Sequence, residues 1–350
     1  MKQKYLIAIA TVLTVNLIVG TAFAGNKQRA GQAGAAELLI NPWARSSGFG
    51  NANVASVTGL EGIFLNVAGT AFTKQLELAF VNTNWLVGAD IALNAFGFSQ
   101  KVGEAGVLSM SVLAMNFGDI DITTPDKPDG GIGTFSPRYT NISIAYAKMF
   151  SNSIYGGAVI KIINEATSDI HASGVAFDAG IQYVTGEREQ IKFGVTMQNV
   201  GPTMRFKGDG LSFRGNYVDG PIMTVESRSA DFELPSLIRI GFSYDFDFLE
   251  ETQFLTLAAN FTSNSFTKDQ YHGGFEYSFK KLLFLRAGYI YEEDNLSDKN
   301  WSTAFKGPTM GLSVQIPLDK KKGSVFAFEY AYRETRLFQG CHTFGARITM

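Results

Sequence analysis

Large apolar residues alternate with small or polar ones along many segments of the chain. From Leu237 to Phe248, the even positions hold Ile, Phe and Tyr, whereas the odd positions hold Leu, Arg, Gly, Ser and Asp. The segments 271–279, 325–333 and 343–350 repeat this period of two. A period of two places successive side chains on opposite faces, so these segments are predicted to be β-strands.

The charged residues of these segments lie on the face opposite the aromatic residues. They are Arg239, Asp245, Asp247, Glu276, Glu329, Arg333 and Arg347. Strands of a soluble β-sandwich alternate as well, so the distribution of charge has to distinguish a soluble sandwich from a membrane barrel. An Arg or Lys facing lipid at the bilayer midplane costs about 2–4 kcal/mol, whereas a water-filled lumen tolerates it. The pattern therefore predicts a membrane barrel with an aromatic outer face and a charged lumen.

The number and spacing of the strands support a barrel. Fourteen strands are predicted near 76–86, 90–101, 106–118, 139–150, 154–165, 174–185, 189–200, 235–248, 252–262, 270–279, 281–292, 306–316, 323–333 and 341–350. An even number is typical of single-chain bacterial barrels, as is the alternation of short turns with longer loops such as 119–138 and 201–234. We therefore predict an all-β fold, a 14-stranded antiparallel transmembrane β-barrel over residues 76–350.

Residues 25–75 precede the first strand and are too apolar for a linker. The stretch from Ala30 to Ile40 is predicted to form a short helix that ends before Pro42, because a residue before proline disfavours the helical region. In strands two and three both faces are apolar, which indicates that their inner face meets packed protein. A 14-stranded lumen is too wide to be filled by wall side chains alone. We expect residues 25–75 to fill it as an N-terminal plug.

The first residues indicate export. Lys2 and Lys4 precede an apolar stretch that ends in the small-x-small triplet Ala22–Phe23–Ala24. This order is typical of a signal peptide, here residues 1–24, and the apolar stretch is short for a membrane span. Export combined with a predicted barrel places the chain in the cell outer membrane.

Composition and motifs exclude other classes. Only 18% of the 350 residues are charged, below the roughly 25% of soluble domains. The formal net charge of -2 offers no basic excess for a phosphate backbone, so nucleic acid is not an expected partner. Outer-membrane lipid is an expected partner because the chain is predicted to form a membrane barrel. The sequence has no Gly-x-Ser-x-Gly motif, and His272 with Glu276 is the one tempting same-face pair, better interpreted as a lumenal polar network. We predict no enzyme activity, no cofactor and no metal site.

One segment of the predicted plug carries a recognisable motif. It comprises the run from Asn41 to Ala55 and the later run from Leu65 to Gly69. These runs resemble the N-terminal signature of the PorV/PorQ family of Bacteroidota outer-membrane proteins, distant relatives of FadL-type barrels. The matching positions are Pro42, Ala44, Arg45, Gly48, Gly50, Asn66, Ala68 and Gly69, and Asn41, which begins the run, is counted with them as a plug-motif residue. Val67 departs from the pattern, since the family usually has proline there.

The resemblance implies a role in the type IX protein secretion system. PorV-like members receive folded cargo at the SprA translocon and shuttle it to the surface attachment complex, whereas PorQ-like members belong to that complex. The family fold is also an exported 14-stranded barrel with a plug. Two other classes remain open. One is a FadL-like passive conduit for hydrophobic small molecules, which an apolar pocket behind Trp43 and Phe49 would favour. The other is an outer-membrane enzyme, which a convergent Ser, His and acid at the rim would favour.

Two hypotheses concern individual residues. Arg45 is expected to reach an inward carboxylate, such as Asp178, Glu276 or Glu329, because a buried guanidinium without a partner is costly. The long loop 201–234 is rich in large apolar residues, and exposed apolar patches commonly mark interaction sites. We expect Phe206, Phe213 and Tyr217 to contact a protein partner, either secreted cargo or the translocon, unless the loop folds inward to cap the barrel.

Overall fold

The computed structural model describes residues 27–104, 106–216, 220–248, 252–295, 297, 303–319 and 323–350. The predicted signal peptide 1–24 and Tyr217 lie outside the described residues. In the described part of the chain, no helix is long and apolar enough to cross a membrane.

Fourteen strands form one closed antiparallel barrel, which confirms the predicted fold class. They are β1 Leu76–Trp85, β2 Ile91–Val102, β3 Gly106–Asn116, β4 Arg138–Ser151, β5 Ile154–Thr167, β6 Ile170–Thr185, β7 Ile191–Val200, β8 Leu237–Asp247, β9 Gln253–Asn264, β10 Gln270–Phe279, β11 Leu283–Glu292, β12 Phe305–Asp319, β13 Ser324–Thr335 and β14 Cys341–Thr349. Each strand pairs with its neighbours along the chain, and β14 closes the barrel on β1 with Phe344 opposite Asn82. Closure leaves no strand edge unpaired in lipid, which a membrane-spanning sheet requires.

The two faces of the wall have opposite chemistry, as the periodicity predicts. On β8, the outward side chains of Ile238, Ile240 and Phe242 are 46%, 54% and 43% exposed. The alternating Arg239 and Ser243 point inward and are buried. The apolar outer surface suits lipid, and this closed barrel lies in the outer membrane.

The N-terminal segment lies inside the lumen as a series of short helical turns. Two of them are α-helices, α1 Ala44–Gly48 and α2 Gly62–Leu65. The others are 3₁₀ turns at Lys27–Arg29, Ala36–Leu39, Gly59–Glu61 and Val67–Phe72. Below, "plug" means residues 27–75.

The helix predicted over residues 30–40 is wrong, because only the turn Ala36–Leu39 forms there. Ala33 instead forms a parallel bridge with Glu233, and the N–H of Gly34 donates to the Glu233 carbonyl at 3.0 Å. Ala35 then adopts a left-handed conformation with φ 50°. Pairing with the distant loop therefore replaces the local helical hydrogen bonds.

The plug covers the inner faces of β2 and β3, as their double-sided apolar pattern predicts. Leu93, Leu113 and Met115 are buried and share one apolar cluster with Leu38. A second cluster joins Ala95 to plug residues that include Leu60, Ile63 and Phe64. Complete burial of each such side chain contributes about 1.5–3 kcal/mol, so the plug is a packed part of the fold.

Candidate functional site

Arg45 lies at the centre of a buried ion-pair network between plug and wall. Its Nε is 3.1 Å from Oε1 of Glu61 in the plug and 3.6 Å from Oε1 of Glu329 on β13. Its Nη2 is 3.8 Å from Oε1 of Glu77 on β1 and donates to the Thr58 carbonyl at 3.0 Å. Burial alone would lower the pKa of this guanidinium, but the three carboxylates outweigh burial and hold the pKa above its ordinary value.

Glu61 also caps the first turn of α1. Its carboxylate accepts the backbone N–H of Arg45 at 3.3 Å and that of Ser46 at 3.1 Å. The side chain of the N-cap residue Trp43 makes no capping hydrogen bond to these N–H groups. Because a helix N-terminus presents free N–H donors and a partial positive charge, a carboxylate is stabilising there. Glu61 thus joins α1, α2 and Arg45 in one unit.

The expectation that Arg45 reaches an inward carboxylate is confirmed, and of the three candidates the acid it reaches is Glu329, not Asp178 or Glu276. Asp178 pairs with Lys161 at 2.6 Å, and Glu276 pairs with Arg286. Each of these acids already forms an ion pair with a cation on the adjacent strand of the wall, so it does not require Arg45 as a partner. Glu61 and Glu77 were not predicted as partners from the sequence, although Glu77 occupies an inward, buried position of β1.

Asn41 and Asn66 hold the plug backbone in shape. The Asn66 amide donates to the carbonyls of Val54 at 3.1 Å and Ile181 on β6 at 3.0 Å, and its Oδ1 accepts the N–H of Ala68. The Asn41 amide donates to Asn51 at 2.7 Å. Asn41 Oδ1 accepts the N–H of Trp43 across Pro42. The motif residues are therefore structural contacts of the plug.

Gly48 and Gly50 allow the plug backbone to touch the wall. A Cβ on Gly48 would lie 2.6 Å from the Cα of Gly311 on β12. Gly50 has φ +67°, and a Cβ on its neighbour Gly288 would lie 2.6 Å from the Gly50 nitrogen. Facing glycines on the plug and the wall therefore make this approach possible, which explains the Gly-x-Gly spacing.

Replacing Gly48 with alanine is expected to push α1 away from β12. The added Cβ meets backbone, which cannot rotate aside, so the free energy of unfolding should fall by about 1–3 kcal/mol. Denaturant unfolding in detergent micelles measures this change. Gly273→Ala is the matched control, since a Cβ there meets nothing within 4 Å. Equal stability of the two variants would contradict the close approach.

Polar side chains of the wall donate to carbonyls of the plug. The pairs are Gln182 with Val54 and Val57, Gln198 with Phe64 and Leu65, Asn260 with Asn51, His272 with Gly50, and Thr309 with Gly48. His272 donates from Nδ1 at 2.8 Å and does not pair with Glu276, so the polar-network interpretation fits this residue. The sequence feature that could have indicated these wall-to-plug contacts is a Gln, Asn, His or Thr at an inward position of these strands.

The loop after β7 divides into a cap and a projecting hairpin. Met204 is buried and exchanges two backbone hydrogen bonds of 2.9 Å with Phe232. The rings of Phe206 and Phe232 lie 5.6 Å apart and pack on the apolar cluster that contains Leu38, Leu93 and Met115. Phe206 therefore belongs to a cap over the plug, so inward folding, the alternative of the sequence analysis, occurs in this part of the loop.

The hairpin pairs Ser212–Asn216 with Ile222–Glu226. Phe213 lies opposite Val225 and Gly215 lies opposite Met223, so these four residues share one face. Phe213, Met223 and Val225 are 55%, 53% and 43% exposed. Below, "apolar hairpin face" means these three side chains. The opposite face carries Ser212, Arg214, Thr224, Ile222 and Glu226.

Cavities lie at both ends of the plug. The cavity nearer the short turns, which face the periplasm in outer-membrane barrels, has a volume of about 460 Å³ and is lined by Phe49 and by charged side chains that include Lys192, Asp245 and Arg286. Trp43 borders a cavity of only about 20 Å³, roughly the room for one water. In the described part of the chain, Trp43 therefore borders a small void and Phe49 borders a vestibule that mixes charged and apolar side chains, so these two cavities do not form the apolar pocket that would favour a conduit.

Comparison with known proteins shows the fold. The sequence matches no protein-family model and no curated protein. The toluene transporter TodX of Pseudomonas putida has a similar structure, with a TM-score of 0.56 and 11% identity over 88% of this chain and 97% of TodX. A Pseudomonas aeruginosa FadL homologue gives a TM-score of 0.52 and 9% identity over 87% and 98%. The chain therefore has the barrel fold of FadL-type outer-membrane proteins.

Proposed function

We propose that this barrel is a component of the type IX protein secretion system. It acts as a PorV-like shuttle that takes cargo from a SprA-type translocon to the surface attachment complex, or as a PorQ-like member of that complex. The observation that carries the proposal is the apolar hairpin face, which is exposed above a lumen occupied by the plug. The similarity of the plug motif to the PorV/PorQ signature supports the same assignment.

The occupied lumen favours a role at the surface over a role as an open pore. Wall side chains from β6 to β12 donate to plug carbonyls, and Arg45 joins plug to wall through two carboxylates, those of Glu77 and Glu329. Opening a wide passage requires breaking this buried set of interactions together. A barrel built in this way is suited to present its extracellular loops to other proteins.

The apolar hairpin face supplies the contact surface. Three large apolar side chains on one side of a two-stranded ribbon are each about half exposed. Water is a poor environment for such a face, whereas apolar and aromatic anchors carry most of the binding energy of protein interfaces. We infer that secreted cargo or a translocon subunit covers it.

A second candidate is passive transport of hydrophobic small molecules. The structural likeness to the toluene transporter TodX and to the FadL homologue favours it. Transport by this barrel requires a path around the plug.

Affinity purification of a tagged chain from cross-linked membranes, followed by mass spectrometry, tests the proposal. We expect a SprA-type translocon with cargo for the shuttle role, and surface-complex proteins without the translocon for the other role. Deletion of the gene should leave cargo in the periplasm. Normal surface display of cargo after deletion, together with slower uptake of a monoaromatic hydrocarbon, would contradict secretion and favour transport.

A further inference from the structure

Three polar side chains of different chemistry meet on the inner face of the wall, on the adjacent strands β5, β6 and β7. The Nζ of Lys161 on β5 lies 2.6 Å from Oδ2 of Asp178 on β6 and donates to Oδ1 of Asn199 on β7 at 2.7 Å. Oδ1 of Asp178 accepts the backbone N–H of Asn199 at 2.8 Å. An amine, a carboxylate and an amide therefore form one closed set of contacts. These three residues are called the triad below.

The triad is shielded from bulk water. The side chains of Lys161 and Asp178 are only 3% and 1% exposed, and Asn199 is 1% exposed. Lys161 borders the void of about 20 Å³ beside Trp43, which Phe64 also lines. A buried ion pair contributes little stability of its own, because the cost of desolvation offsets the attraction between the charges. Stability from the ion pair alone therefore does not account for the triad.

A β-bulge turns Asn199 towards the other two side chains. The pairing of β6 with β7 shifts register between Phe177 and Ala179, so that Gln198 and Asn199 both lie opposite Asp178. Neighbouring residues of a regular strand point to opposite faces, but here both are buried. Asn199 has φ 59°, the left-handed conformation that the bulge requires. Bulges of this kind re-aim a side chain, and this one aims the Asn199 amide at the amine of β5.

These contacts place a nucleophile beside a carbonyl carbon. Oδ1 of Asn199 is bonded directly to Cγ, so the Lys161 nitrogen that donates to Oδ1 already lies next to that carbon. Groups held together in this way react without the entropy cost of an encounter. A proton that passes from Nζ of Lys161 to Oδ2 of Asp178 leaves a neutral amine, which is a nucleophile, and a carboxylic acid. The other amide atom, Nδ2 of Asn199, donates to the carbonyl of Pro235 at 3.1 Å.

We propose that Lys161 and Asn199 join through an isopeptide bond that forms within the folded barrel. The bond between Nζ and Cγ forms, and the bond between Cγ and Nδ2 breaks. Asp178 takes a proton from the amine and passes it to the departing nitrogen, which leaves as ammonia and becomes ammonium in water. One ammonium group and one primary amide thus give one secondary amide and one ammonium ion, so no oxidant or other co-reactant is required.

The bond ties β5 to β7 across β6, between residues 38 positions apart. A covalent link over such a distance restricts the unfolded chain, as a disulfide does. The reaction also moves a positive charge from a buried site to water. Asp178 keeps a cation nearby, because Arg239 on β8 interacts with it electrostatically. The modification is independent of the proposed role in secretion.

Intact mass spectrometry of the purified full chain tests the bond. We expect the mass of the folded wild type to lie about 17 Da below the value calculated from its mature N-terminus, since one ammonia is lost. Tryptic digestion should then give one branched peptide in which residues 149–188 are joined to residues 193–205, because trypsin does not cleave after an acylated lysine. A wild-type chain with the full calculated mass, or with normal cleavage after Lys161, would overturn the proposal.

Variants assign the roles. Lys161→Arg keeps the charge but lacks the amine, and Asn199→Gly suits the left-handed backbone but lacks the amide, so both should keep the full mass. Asp178→Asn should keep it as well, because the proton acceptor is gone. Lys192→Arg is the matched control and should show the wild-type deficit. Lys192 pairs with Asp245 at 2.6 Å, and no amide completes that pair in the part of the chain that the structure describes.

Heat-modifiable gel migration checks that each variant folds. The wild-type mass deficit in folded Lys161→Arg or Asn199→Gly would overturn the proposal, because the ammonia would then come from another site. The deficit in folded Asp178→Asn would overturn the role given to the acid. If a variant fails to fold, the wild-type mass and the branched peptide decide alone.

Discussion

Replacing Arg45 with alanine is expected to loosen the plug and lower the free energy of unfolding by about 3–5 kcal/mol. The side chains of Glu61, Glu77 and Glu329 are only 3%, 5% and 6% exposed. Without Arg45, Glu77 and Glu329 share one remaining guanidinium, that of Arg347, at 3.0 Å from Glu329 and 3.9 Å from Glu77. Glu61 then keeps its hydrogen bonds to the first turn of α1 but has no cation in this network, and a buried carboxylate that loses its cation is strongly destabilising.

The matched control is Arg188→Ala. Arg188 pairs with Asp247 at 3.2 Å, but its side chain is 65% exposed. Water screens such a pair, so its loss should cost only about 0–1 kcal/mol. The contrast between the two variants separates burial from the simple removal of an arginine.

Three measurements follow the plug in the Arg45 variant. Denaturant unfolding gives the stability, protease treatment reports on exposure of residues 27–75, and leak from proteoliposomes reports on the lumen. Adding Glu61→Gln to Arg45→Ala should recover part of the lost stability, because it removes one of the unpaired charges. Wild-type leak together with wild-type protease resistance in Arg45→Ala would show that the network does not hold the plug.

The wall was predictable from the sequence because its rule is local. Each residue of a strand faces either lipid or lumen, and lipid excludes charge at the outer face. Arg239 and Ile240 are neighbours in sequence and lie on opposite faces, and the period of two alone assigns them. The same rule identifies inward polar residues such as His272 as lumenal.

The partners of those inward residues were not predictable, because they depend on how the plug lies against the wall. The contact of His272 with Gly50 joins residues 222 positions apart, and that of Asn260 with Asn51 joins residues 209 apart. No local pattern encodes such pairs. The wrong helix over 30–40 has the same origin, since its backbone pairs with Glu233 instead. The ion pair of Arg45 with Glu329 could be predicted because a buried cation requires an acidic partner. This rule gives the chemistry of the partner but leaves several candidate residues.

The apolar hairpin face should be required for cargo display if it binds a protein partner. We expect Phe213→Thr, Met223→Thr and Val225→Thr together to reduce surface display of cargo by about tenfold or more, since central anchors cost about 2 kcal/mol or more each. Threonine retains strand propensity, so the hairpin should persist. The barrel should also fold normally, because these side chains are exposed and the cap below is held by Met204 and Phe232.

The opposite face of the same hairpin provides the control for this prediction. Arg214→Thr with Ile222→Thr alters the other side, including a side chain of Ile222 that is 69% exposed. If the apolar face is the contact surface, this control should display cargo at wild-type level while the triple variant does not. Equal loss in both variants would indicate that the hairpin acts only through its presence. Normal display in a folded triple variant would exclude the face as the contact surface, and the partner would then have to bind elsewhere on the extracellular rim.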